Sequence, residues 1–180
     1  MIETGFTFRG VHSSKYHIIC DPATRQLLPE RRRELIQVPG KSGYYIQDIH
    51  TYDSKAEKFK CAFVNDGEGT VSTLSREIAA WLAEPGILCF DNEPDKFYNA
   101  FFMGPLPLEK HRRHGEFELQ FLYNPPFAYT SQQSMTKMVT GAQDAVTVPV
   151  KGTAPTPCRI IIRNDGDTVI ENLHITYQLQ

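Results

Sequence analysis

From Glu116 to Tyr123 the chain alternates strictly, with Phe117, Leu119, Phe121 and Tyr123 on one parity and Glu116, Glu118 and Gln120 on the other. A period of two puts every second side chain on the same face of an extended strand. This stretch is therefore expected to form an antiparallel strand with one buried and one wet face. The same period recurs in Phe6 and Phe8, in Tyr16, Ile18 and Cys20, and in Phe59, Cys61 and Phe63 against Lys58, Lys60 and Ala62. Further strands are expected over Leu35–Val38, up to Phe90, and from Phe97 to Met103. One segment breaks the rule. From about Ser72 to Ala83, Leu74, Ile78, Trp81 and Leu82 recur at i, i+4, i+7 and i+8, which predicts a helix with one apolar stripe. Ser72 or Thr73 is read as its N-cap, and Pro85-Gly86 ends it. A lone amphipathic helix must bury its stripe on the strands around it. Leu74, Ile78, Trp81 and Leu82 are thus expected to anchor it to a β-rich domain, barrel-like or sandwich-like.

Turn chemistry separates the strands. Pro39-Gly40-Lys41-Ser42-Gly43 reads as a tight turn, Asn65–Gly69 as a loop before the helix, and Asn92-Glu93-Pro94-Asp95 as a strand break. Lys110–Gly115 is read as the tip of a long hairpin. After Asn124-Pro125-Pro126-Phe127 the composition shifts, and Thr130–Thr140 is polar and unpatterned. Val146–Val150, Arg159–Arg163 and His174–Leu179 then suggest three more strands. Three strands in so short a stretch seldom stand alone, so this part either completes its sheet against another chain or domain or is part of a β-sandwich. The expected organisation is a domain over residues 1–129, a linker or arm over 130–144, and a partial sandwich over 145–180.

Composition excludes several functions. Of 180 residues, 41% are apolar, enough for a real core, and the formal net charge is −2, unlike the basic surplus of a dedicated nucleic-acid binder. No run of about 18 apolar residues predicts a membrane-spanning helix. Residues 1–10 lack the apolar core of a secretory leader, so synthesis into a cytoplasm is expected. Cys20, Cys61, Cys89 and Cys158 are far apart and form no CxxC pair. Each lies among apolar or β-branched neighbours, so all are expected to be reduced and buried as small hydrophobes.

The candidate chemistry is sparse. Asp91, Glu93 and Asp95 could hold a proton pair or a cation, but they sit on a proline-bearing turn without the spacing of a calcium loop, and a solvated turn is the expectation. His111 and His114 have helical ligand spacing in a loop whose Lys110, Arg112 and Arg113 would repel a metal. That basic tip is read either as an interface, lining a lumen or meeting an acidic neighbour, or as a solvated loop. Arg31, Arg32 and Arg33 either blunt a strand edge or meet an acidic partner. The sequence holds no GxSxG elbow, P-loop or GxGxxG after a strand. No catalytic role, metal or cofactor is expected.

The order of these features resembles the distal tail protein family of phages with long non-contractile tails. The resemblance rests on Phe8-Arg9-Gly10, on Val38-Pro39-Gly40-Lys41-Ser42-Gly43 and on the helix Arg76-Glu77-Ile78-Ala79-Ala80-Trp81-Leu82. It continues in Pro94-Asp95-Lys96-Phe97-Tyr98-Asn99-Ala100 and in the strand from Gly115 to Pro125. Val148–Pro157 resembles the entry to that family's C-terminal galectin-like sandwich. The resemblance implies a structural protein of the tail tip that forms a hexameric ring. The ring joins the tail tube protein to a tail-associated lysin or fibre protein, and DNA passes through its lumen without specific binding. It implies no membrane partner, assembly in the bacterial host cytoplasm and residence in the virion. A second reading is a carbohydrate-binding β-sandwich module that stacks sugars on Tyr44, Tyr45 or Tyr177.

Overall fold

The computed structural model describes residues 5–21, 28–64, 71–104, 114–139, 147–149, 152–154, 156–169 and 171. The chain divides into two units, Met1–Met135 and Thr136–Gln180.

The first unit is mainly β with one helix. Seven strands form one sheet in the order β2-β1-β7-β8-β9-β6-β3, every neighbouring pair antiparallel. They are β1 (Phe6–Phe8), β2 (Val11–His12), β3 (Ile18–Asp21), β6 (Lys55–Val64), β7 (Gly86–Phe90), β8 (Glu93–Phe102) and β9 (His114–Tyr123). The sheet curls into a half-barrel. Its longest ladder joins β6 to β9 over ten residue pairs, from Lys55↔Tyr123 to Val64↔His114. Along β9 the expected parity holds: Phe117, Leu119, Phe121 and Tyr123 are buried, while Glu116 and Glu118 are exposed.

Helix α1 (Val71–Leu82) packs its apolar stripe into the core of this sheet. Ile78, Trp81 and Leu82 are buried among Phe6, Phe8, Leu88, Phe90 and Phe121, and Leu74 packs half-buried against them. The helix opens at Val71, so Ser72 and Thr73 lie inside its first turn and not at the cap, where the sequence suggested them. At the other end the Arg9 guanidinium donates to the Trp81 carbonyl at 3.2 Å, supplying charge and a donor where helix carbonyls run out of partners. Arg9 can reach because β1 and β2 are joined by the two-residue turn Arg9-Gly10, both with positive φ (50° and 75°). That is the type I′ geometry whose twist suits a tight hairpin, and only Gly10 adopts it freely.

The remaining strands, β4 (Arg31–Gln37) and β5 (Tyr44–Tyr52), pair only with each other. Their turn follows its residues: Pro39 and Gly40 (φ 79°) occupy the centre, and the Lys41 N–H donates to the Val38 carbonyl at 3.1 Å, a type II turn.

Three expectations need correcting. The break at Asn92–Asp95 is shorter than expected, because β8 begins at Glu93 and carries Pro94 inside it. The β7–β8 register slips between Leu88 and Phe90, and a bulge is where a strand tolerates a residue without an N–H. The cysteines are not all reduced and buried. Cys20 and Cys61 are cross-strand partners in β3–β6 and form a disulfide, while Cys158 is exposed. In the second unit Arg159–Arg163 forms no strand. Ile160, Ile161 and Ile162 are all more than half exposed, as expected of a β-prone stretch without a ladder to join among the described residues. Residues 147–149 form no strand either, while Val146, Val150 and residues 174–179 lie outside the described residues. No helix among the described residues is long and apolar enough to cross a membrane.

Candidate interaction surfaces

The hairpin β4–β5 is the part of the first unit least consistent with an isolated molecule. Its register pairs Leu35 with Ile46, Ile36 with Tyr45 and Gln37 with Tyr44. Successive pairs face opposite ways, so Leu35, Ile46 and Tyr44 lie on one face and Ile36 and Tyr45 on the other. Leu35, Tyr44, Tyr45 and Ile46 are each between 57% and 60% exposed. A two-stranded ribbon is marginal in water, and one that exposes apolar side chains on both faces has no core of its own. The sequence predicts the strand Leu35–Val38 and the turn after it, but not that both faces of the ribbon are exposed. The clue was the adjacency of apolar residues, Leu35-Ile36 and Tyr44-Tyr45-Ile46, which fills both parities where a half-buried strand fills one.

The arginines expected at an interface lie at the base of this ribbon, each with an acid beside it. Arg31 and Arg33 flank Asp48 at 3.3 and 3.9 Å, and Arg32 meets Asp53 at 2.5 Å. Arg31 also lies over the Tyr52 ring, which packs edge-on against Phe127 at 5.3 Å and ties the ribbon to the chain after β9. Such exposed pairs contribute about 0–1 kcal/mol each, so they orient the base more than they hold it. The three cations are thereby largely matched within the ribbon. Lys110, Arg112 and Arg113 lie outside the described residues, as does His111.

Asp48 binds more than the arginines. Its carboxylate accepts from the His50 backbone N–H at 2.9 Å, across a bulge where His50 takes positive φ (56°). This hydrogen bond, with the charges of Arg31, His50 and Arg33, holds the carboxyl below its ordinary value of 3.8, against a smaller opposing effect of desolvation. A depressed acid stabilises the fold above its unfolded value and stops doing so as pH falls through its folded value. The carboxyl carbon of Asp48, followed by NMR, should thus titrate with a midpoint below 3.8. A midpoint at or above that value would show that the bulge does not hold the anion.

A second constellation superficially suggests hydrolytic chemistry. His12 Nδ1 lies 2.7 Å from Ser14 Oγ, and His12 Nε2 lies 3.0 Å from Asp91 Oδ2. Its atoms are engaged in holding backbone. Nδ1 also accepts from the Ser14 N–H at 3.2 Å, capping the short 3-10 helix Ser13–Tyr16, and Asp91 Oδ2 accepts from the Gly5 N–H at 2.8 Å. The cluster ties the first described residues to β2 and to the end of β7. Gly5 is required there, because a Cβ would meet Ser13 Oγ at 2.8 Å and His12 Cε1 at 2.9 Å. Of the other expected turn carboxylates, Glu93 accepts from the Tyr98 hydroxyl at 3.4 Å and Asp95 pairs with Lys96 at 3.1 Å. Cys89 sits near this turn, and burial first, then the charges of Asp91 and Asp95, push its thiol pKa up. No group of three or more metal-binding side chains is found among the described residues.

A curled sheet packed against one helix, with an apolar ribbon exposed on both faces, defines a β-rich domain. Residues 11–123, more than half the chain, match the family model of the phage tail protein RIFT-related domain, and the chain belongs to that family. The fold is similar to the crystal structure of the Dit protein (gp 19.1) of phage SPP1, described as a paradigm of the hub adsorption apparatus in phages infecting Gram-positive bacteria. That match has a TM-score of 0.57 and 15% sequence identity, and it covers 71% of this chain and 52% of the other. The chain thus spans about half the length of that protein. No curated protein sequence matches the chain. The resemblance to distal tail proteins drawn from the motifs is supported by family and fold together, and the protein is a structural component of a phage tail.

Proposed function

We propose that the protein closes into a ring, most simply of six copies, that joins the tail tube protein to a tail-associated lysin or fibre protein at the tail tip. The observation that carries this reading is the ribbon β4–β5, whose apolar side chains are exposed on both faces. A head-to-tail ring needs two different surfaces on each subunit. The ribbon supplies one. Ile87 and Phe101, exposed on the outer face of the sheet, offer a second. Arg31, Arg32 and Arg33 then act as an internal brace for the ribbon, and Lys110, Arg112 and Arg113 are assigned to the lumen or to an acidic neighbour. A net charge of −2 suits a lumen that DNA crosses without specific binding. Leu74, Ile78, Trp81 and Leu82 serve the fold beneath these surfaces. In this reading residues 1–129 form the ring domain, 130–144 an arm, and 145–180 part of a sandwich completed elsewhere. Assembly takes place in the bacterial host cytoplasm.

Ile46→Asp combined with Tyr45→Ser should abolish ring formation. Because both side chains are exposed, the variant's own stability should change by about 1 kcal/mol or less. Native mass spectrometry and electron microscopy read the first effect, and thermal melting reads the second. Wild-type protein that stays monomeric at high concentration, with and without tube protein, would sink the proposal. The carbohydrate reading gains nothing from the ribbon. Tyr44 and Tyr45 lie on opposite faces and make no shared stacking platform, and Tyr177 lies outside the described residues.

A further inference from the structure

The Cys20–Cys61 pair has a role that packing alone does not supply. The two residues face each other across β3–β6, are 1% and 3% exposed, and have Cα atoms 4.2 Å apart. β3 is the last strand of the sheet, four residues long, and is held on one side only, by β6. The two cysteines stand 41 positions apart, and between them lies the whole ribbon β4–β5. A bond between them converts an edge strand of the sheet, and the root of the ribbon, into part of a closed covalent loop.

We propose that this pair is a redox-set lock on the edge strand, open as a dithiol in the host cytoplasm and closed as a disulfide once the particle leaves the cell. The compartments fall out of the tail assignment above, and the chemistry does not depend on it: thiols stay reduced where cytosolic reductants are present and pair where they are absent. The oxidant is a small-molecule disulfide. A thiolate of the pair attacks one of its sulfurs and releases a small thiol, and the second thiolate then attacks the mixed disulfide and releases another. Two electrons pass to the small disulfide, and both protons leave on the two released thiols. Since both sulfurs are buried, β3 must first open from β6, so closure is slow and is controlled by the stability of the edge. Cys89 and Cys158 take no part, as both are free in the structure.

The test uses the full chain from a reducing cytoplasm in two portions, one quenched at once with a thiol alkylator and the other purified without alkylator and then oxidised. Unfolded in the alkylator immediately, the first portion should take up label at all four cysteines. After incubation with oxidised glutathione, Cys20 and Cys61 should carry neither label nor glutathione, while Cys89 and Cys158 carry one or the other. The oxidised form should melt on the order of 10 °C higher, a shift reversed by dithiothreitol, because closing a loop of this length restrains the unfolded chain. Cys61→Ser should label at its three remaining cysteines before oxidation, carry label or glutathione at each of them after it, and show no redox-dependent melting. Label or glutathione on all four cysteines after oxidation would overturn the proposal, and so would closure with an unchanged melting point. Protein already cross-linked when quenched in the cytoplasm would overturn the lock too, leaving a plain structural bond. All readouts are made on the single chain, so ring formation, followed separately by sizing, succeeds or fails independently.

Discussion

Replacing Trp81 with alanine should lower the stability of the first unit by about 3 to 5 kcal/mol, the range for removing a large buried aromatic. Its ring stacks on Phe6 at a centroid distance of 5.6 Å and 9° between planes, meets Phe8 edge-on at 6.0 Å, and lies 4.8 Å from Tyr16. Its indole N–H donates to the Phe8 carbonyl at 2.9 Å. One side chain thus links helix α1, strand β1 and the 3-10 helix, and its own carbonyl receives Arg9. Trp81→Phe separates the contributions. It keeps most of the apolar contact and loses the hydrogen bond, at a cost of about 1 to 3 kcal/mol. Chemical denaturation would measure both, and an alanine variant as stable as wild type would mean that the stripe is not what holds the helix.

A loss of similar size is expected from breaking a charge pair where charges are rare. Lys55 and Glu57 lie two residues apart on β6 and pair with each other, at 9% and 5% exposure. They share the inward parity of Phe59 and Cys61, and the Lys55 ammonium sits 5.7 Å from the centre of the Tyr123 ring. Taking either charge away removes the nearest counter-ion of the other, buried charge, which costs about 3 to 5 kcal/mol. Lys55→Met and Glu57→Leu should each show this loss. Combined in one chain they should restore wild-type stability or exceed it, since two apolar groups of similar size need no desolvation. A double variant as weak as the sum of the singles would show that the two residues act through separate partners.

What could be read from the residues follows from range. Local rules sufficed where the determinant was local. The alternation of Phe117 to Tyr123 fixed a strand and its buried face, the stripe of Ile78, Trp81 and Leu82 fixed a helix, and Pro39-Gly40 fixed a turn. Register slips such as the bulge that admits Pro94 moved a boundary by four residues, from Phe97 to Glu93. Pairings between distant segments were not legible. Cys20 meets Cys61, and His12 meets Asp91, only because β3 returns to β6 and β2 flanks β1 beside β7, and each cysteine or histidine alone suits a dozen settings. The ribbon's two exposed faces were missed for a different reason. Its residues were read one strand at a time, and the meaning of apolar neighbours on both parities emerges only when the two strands are set face to face. Arg31, Arg32 and Arg33 were conspicuous as a run, yet the partners that match them, Asp48 and Asp53, lie on the returning strand.

The lengths of the two outermost strands carry a consequence for how copies can multiply. As described, β2 offers two residues and β3 offers four. A strand so short templates little, so one sheet cannot readily recruit the next and grow into an endless ribbon. In the proposed ring, cohesion between copies falls to the side chains of the ribbon β4–β5, which fix an angle. A repeated angle either closes on itself after a definite number of steps or winds on as a helix. In the proposed ring, the number of copies is set by the tilt of that ribbon.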